Sequence, residues 1–105
     1  MLKPFSLDIE PTFKSTVKIP VPGKAPHPVE FTFKHHDQEA FKAFGAKLKD
    51  YERDTDAVMD IACGWDLEEP WDRGNVEKLV TRYLGSARAI IDRFASENSG
   101  AALGN

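Results

Sequence analysis

The chain has 105 residues, 41% of them hydrophobic and 30% charged, with a formal net charge of −3 and a pI near 5.6. That size holds one domain with one modest core, and the composition is that of an ordinary globular protein. The mild acidity argues against bulk binding to nucleic acid or anionic lipid, no apolar run approaches the ~20 residues of a membrane-spanning helix, and a single cysteine leaves no intrachain disulfide or multi-cysteine zinc site.

Residues 1–12 read as an N-terminal arm or edge strand, because Phe5, Leu7 and Ile9 alternate with polar neighbours. The opening residues lack the apolar centre of a secretory leader, so an intracellular domain is expected. Phe13, Val17, Ile19 and Val21 then share one parity, and Val29, Phe31 and Phe33 repeat the pattern. Period-two alternation predicts two strands with one buried face each. Between them, residues 22–28 hold three prolines and a glycine, which fits a wide hairpin loop with Ile19 opposite Val29 and Lys18 facing Glu30.

The remainder has helical spacing. Phe41, Phe44, Leu48 and Tyr51 form one stripe, started by a cap at His36 or Asp37. Val58, Ile61 and Ala62 form a second, running from the acidic start at Asp54, Thr55 and Asp56 to a stop at Gly64. Val76, Leu79, Val80 and Tyr83 follow Asn75, and Ala87, Ile90, Ile91 and Phe94 follow a cap at Ser86. The expected fold is α+β: an N-terminal β-hairpin or small antiparallel sheet packed on three to four short α-helices, with residues 13–95 as one domain and 96–105 as a flexible C-terminal tail.

Charge is uneven. Residues 1–49 carry eight lysines against five acids, and residues 50–105 carry six basic residues against twelve acids. Lys14, Lys18, Lys24 and Lys34 could line the outer face of the hairpin, but the phenylalanines share the inward parity and leave no stacking aromatics among them, so nucleic-acid binding is disfavoured. Residue pattern points to no catalytic group, cofactor or metal. Cys63 has acidic and apolar neighbours and reads as a small buried hydrophobe rather than a thiolate. Adjacent His35 and His36 would face opposite sides of a strand. Asp50, Glu52, Asp54 and Asp56 alternate without the central glycine of a calcium loop.

The distinctive stretch is Gly64-Trp65-Asp66-Leu67-Glu68-Glu69-Pro70-Trp71-Asp72, two tryptophans and a leucine in an acidic, non-periodic loop. Tryptophan rings belong on a core or in an interface, so Trp65 and Trp71 anchor this loop or a partner. The expected protein-binding set is Trp65, Asp66, Leu67, Glu68, Glu69 and Trp71, the carboxylates steering a basic partner. Strand addition at the hairpin edge is a second expected mode of contact.

Three segments together resemble the small tail assembly chaperones of tailed bacteriophages and prophages. They are Val29-Glu30-Phe31-Thr32-Phe33-Lys34-His35, then Val58-Met59-Asp60-Ile61-Ala62-Cys63-Gly64-Trp65-Asp66-Leu67, and last the pair of helices from Asn75 to Ile91. The likeness spans roughly residues 13–95, and Trp71 stands where a phenylalanine is expected. The resemblance implies a non-enzymatic protein of the host bacterial cytoplasm, outside the mature virion. It implies binding to the tail tape measure protein, keeping that chain soluble until tail-tube subunits polymerise around it, with self-association a further expectation. A small adaptor for another protein, and more remotely a phage nucleic-acid-binding protein, are the alternative readings.

Overall fold

Thr12–Val21 (β1) and Lys24–Lys34 (β2) pair antiparallel, closed by Pro22 and Gly23 alone. Proline at the first central position and a glycine at φ 74° at the second meet the demands of a tight type II turn. The computed structural model describes residues 5–100. The expected wide loop is therefore a two-residue turn, and the register moves with it: Val17 lies opposite Val29, Lys18 opposite Pro28, and Thr16 opposite Glu30. A register shift between Ile19 and Val21 absorbs the odd residue. Parity is unchanged, so Val17, Ile19, Val29, Phe31 and Phe33 all point inward and are buried.

Gln38–Lys47 forms α1, capped by Asp37, whose Oδ1 accepts from the Ala40 amide at 2.9 Å. Its stripe stops sooner than the spacing suggests. Leu48–Asp50 is a 3₁₀ turn and Leu48 is exposed. Asp54–Ile61 forms α2 and Ala62–Trp65 forms β3, with no residue between them. Residues read from sequence as a helical C-terminus are thus the third strand, which pairs antiparallel with β2 through Phe31 and Trp65, Thr32 and Gly64. Strand geometry sends Ala62 inward and Cys63 outward, so the thiol is exposed rather than buried. The arm supplies no strand: residues 5–11 are neither helix nor strand.

Arg73–Arg82 (α3) starts at an Asp72 cap, whose Oδ1 accepts from the Asn75 amide at 2.7 Å. Ser86–Asn98 forms α4. Ser86 is its first helical residue rather than its cap. The side chain is buried, and its Oγ donates to the Leu79 carbonyl. Among the described residues the fold is α+β, a three-stranded antiparallel sheet in the order β1-β2-β3 with four α-helices, of which α4 packs on β1, α2 packs on β2 and β3, and α3 packs on α2 and α4.

The centre of the core is Phe94 of α4, fully buried. Its ring lies 5.7 Å from Phe33, 5.6 Å from Phe44, 5.9 Å from Phe41, 6.4 Å from Phe13 and 5.0 Å from the His36 imidazole. One residue thereby joins the sheet, α1 and α4. The helix continues past this point through Ser96, Glu97 and Asn98, the first residues of the segment expected to be a loose tail. Glu97 is held by a charged network: Ser15 Oγ donates to Glu97 Oε1 at 2.8 Å, and Arg93 reaches both. The Asn98 side chain bonds both backbone groups of His36, at 2.9 and 3.0 Å. The rest of the expected tail, residues 101–105, lies outside the described residues, as do residues 1–4 of the arm.

Candidate functional site

The loop after β3 is built on its tryptophans. Trp65 and Trp71 pack edge to face with centroids 4.9 Å apart, and each sets an edge against buried Phe31, at 6.0 and 6.4 Å. Trp65 Nε1 donates to the Glu69 carbonyl at 2.7 Å, closing the loop on itself. Asp66 extends the sheet by one step: its amide donates to the Glu30 carbonyl and its Oδ1 accepts from the Glu30 amide. That carboxylate has a structural partner in place. Both indoles remain half-buried, since a four-residue strand cannot cover them.

Two clefts, of about 440 and 450 Å3, meet across Leu67, Glu69, Leu79 and Tyr83 and form one groove. One end is the hairpin tip, with Ile19, Val21 and Val29. The other runs beside Trp65 to Asn75, Lys78 and Arg82. The turn from α3 to α4 meets β1 here: Gly85 passes so close to Pro20 that a β-carbon there would lie 3.1 Å from the proline ring. Beside it Tyr83 is 39% exposed and Leu84 is 85% exposed, apolar side chains that the domain itself leaves wet.

Of the residues expected to bind a partner, Trp65, Leu67 and Glu69 line this groove. Trp71 sits behind Trp65, and Asp66 and Glu68 lie outside the lining. Val21, Leu79 and Tyr83 complete the groove from distant parts of the chain, where spacing marked them only as strand and helix core. The charge is also not what the acidic loop suggests. Lys24, Lys78 and Arg82 line the groove against Glu69, with His27 at the hairpin end. Among the described residues Arg82 is the one arginine without a carboxylate within 4.0 Å; Arg53, Arg73, Arg88 and Arg93 are all paired.

On the opposite flank, α2 and α3 are tied by Arg73 to Asp56 and by Arg53 to Glu77. The hydrogen bond from the Arg73 guanidinium holds the Asp56 carboxyl below the usual carboxylate range. A folded-state value that is depressed gives stability above the unfolded value, lost as pH falls through the folded one. Asp56→Asn should therefore melt below the wild type at pH 7 and converge with it as pH falls through and below the ordinary carboxylate range, read by thermal scans across pH. Nearby, burial and then a 2.6 Å bond to Asp60 push the Tyr51 hydroxyl upward, so it stays protonated. No group of three or more His, Cys, Asp or Glu among the described residues is placed to hold a metal ion, and no helix among them is long and apolar enough to cross a membrane.

Fold and groove together define a small α+β domain with an open groove of mixed apolar and charged lining between a hairpin tip, a tryptophan loop and a helical turn. The whole chain, residues 1–105, matches the family described as phage tail assembly chaperone, and it belongs to that family. Membership points to a non-enzymatic role in phage tail assembly, through binding of a phage tail protein. No curated protein and no solved structure matches the chain.

Proposed function

We propose that this protein binds the tail tape measure protein in the host cytoplasm and keeps it soluble during tail morphogenesis. One observation carries the reading: the open groove, apolar at its hairpin end and middle through Val21, Val29, Leu67, Leu79 and Tyr83 and polar at its far end, on a member of this chaperone family. A long helical client exposes apolar seams that self-associate. An amphipathic segment laid into the groove covers one such seam, and the tryptophan loop and Tyr83 supply aromatic anchors. Individually weak contacts repeated along the client allow release when tail-tube subunits take its place.

Co-expression with the tape measure protein of the same gene cluster tests this. The expected result is that the client moves from the insoluble to the soluble fraction and co-purifies with this chain. A client that stays equally insoluble, with nothing retained, would overturn the reading.

A further inference from the structure

We propose that, when no client is bound, the groove of one protomer is filled by the N-terminal arm, residues 5–10, of a second copy. The groove is the one assigned above to the client, and the arm's place in it holds whatever that client is.

The arm is an apolar segment without a place in its own fold. Phe5 is 94% exposed, Leu7 is 90% and Ile9 is 54%. In its own protomer it forms a bend, with the Asp8 amide donating to Ser6 Oγ at 3.1 Å. Drawn out straight, Phe5, Leu7 and Ile9 make an apolar row, and Ser6, Asp8 and Glu10 make a polar row carrying two carboxylates. The groove offers the complement of both. Its floor is apolar, and its charges are Lys24, Lys78 and Arg82 against Glu69, an excess of cations facing an acidic arm. Arg82, unpaired among the described residues, is the first of these to gain a partner.

The reach of the arm assigns the hairpin end of the groove to a second copy. The Pro11 carbonyl accepts from the His35 amide at 2.9 Å and Thr12 pairs with Lys34, so the arm leaves the sheet at the end opposite the Pro22 and Gly23 turn. From Thr12 to the hairpin tip is the length of β1, about 33 Å. A doubled-back arm of six residues reaches at most ~20 Å, short of Val21 and Lys24. Two copies exchanging arms bury both arms in both grooves under one two-fold axis, a closed arrangement that leaves no apolar row free. The arm then competes with the client, which must displace it.

Sedimentation equilibrium of the full chain, from low micromolar to near-millimolar concentration, tests this. The expected wild-type result is a monomer–dimer equilibrium. In the double variant Phe5→Asp with Leu7→Asp, the mass should fall to the monomer, and the melting temperature should match that of wild type at a dilution where the wild type is itself monomeric, since both side chains are exposed in the protomer. Reversing the arm with Asp8→Lys and Glu10→Lys should also give monomers, and adding Lys78→Glu with Arg82→Glu should restore the dimer. A wild type that is monomeric throughout, or a dimer untouched by the arm variants, overturns the proposal. Client capture separates the two readings. Arm variants should capture the client at several-fold lower concentration than wild type, because the competitor is gone. A monomeric wild type that still solubilises the client defeats only the arm, whereas a dimer that dissolves on arm substitution but never holds the client defeats only the client assignment.

Discussion

Phe94→Ala is expected to lower the thermal midpoint by about 12 °C or more. Truncating a fully buried phenylalanine costs ~3–5 kcal/mol through lost transfer energy and the cavity left behind. For a domain of this size each kcal/mol moves the midpoint by about 4–8 °C. The loss is not relieved by repacking, because Phe94 touches rings from β1, β2 and α1 that no single neighbour can move to replace. Leu84→Ala is the matched control: the side chain is 85% exposed, and its loss should stay within ~0.5 kcal/mol. Scanning calorimetry of the two variants decides the point. Near-equal midpoints would mean that α4 is not what joins the helices to the sheet.

Tyr83→Ala is expected to weaken client capture by about tenfold or more while the midpoint stays close to wild type. A tyrosine anchor in an interface contributes on the order of 2 kcal/mol or more. Tyr83 suits that role, because it lines both clefts of the groove yet keeps 39% of its surface in water. The comparison is Trp71→Ala, which removes a ring braced on Trp65 and Phe31 outside the groove lining. Its expected signature is the reverse, a clear loss of stability with capture reduced only as far as the loop loosens. Titration of immobilised client with each folded variant separates the two. Equal loss of capture in both would place the contact on the loop as a whole rather than in the groove.

What could be read from sequence was whatever local periodicity encodes. The hairpin, its inward parity and the α+β class follow from alternation at Phe13, Val17, Ile19, Val29, Phe31 and Phe33, which burial then enforces. The turn was hidden because several prolines crowd the connector. Pro26 and Pro28 lie within β2, and only Pro22 and Gly23 turn the chain. β3 was hidden for another reason. Its four residues carry no alternation of their own, and Ala62 continues the helical stripe of α2, so only pairing with β2 makes them a strand. The tryptophan loop was legible as an anchor because tryptophan is costly to leave wet. The groove was not, because Val21, Leu67 and Tyr83 meet only after the hairpin folds over the turn between α3 and α4. The sign of its charge was hidden too, because the acids of the loop cluster in sequence while Lys24, Lys78 and Arg82 converge in space.

The direct join of α2 to β3 has a consequence for how the domain breathes. Ile61 closes the helix and Ala62 opens the strand with no spare residue to act as a hinge. Neither element can therefore detach alone, and their amide protons should exchange with solvent as one cooperative unit. The tryptophan loop hangs from the far end of that unit. A ligand gripping Trp65 should slow deuterium uptake not only in the loop but along α2, on the far side of the sheet's edge, linking occupancy of the groove to the rigidity of a helix that never touches it.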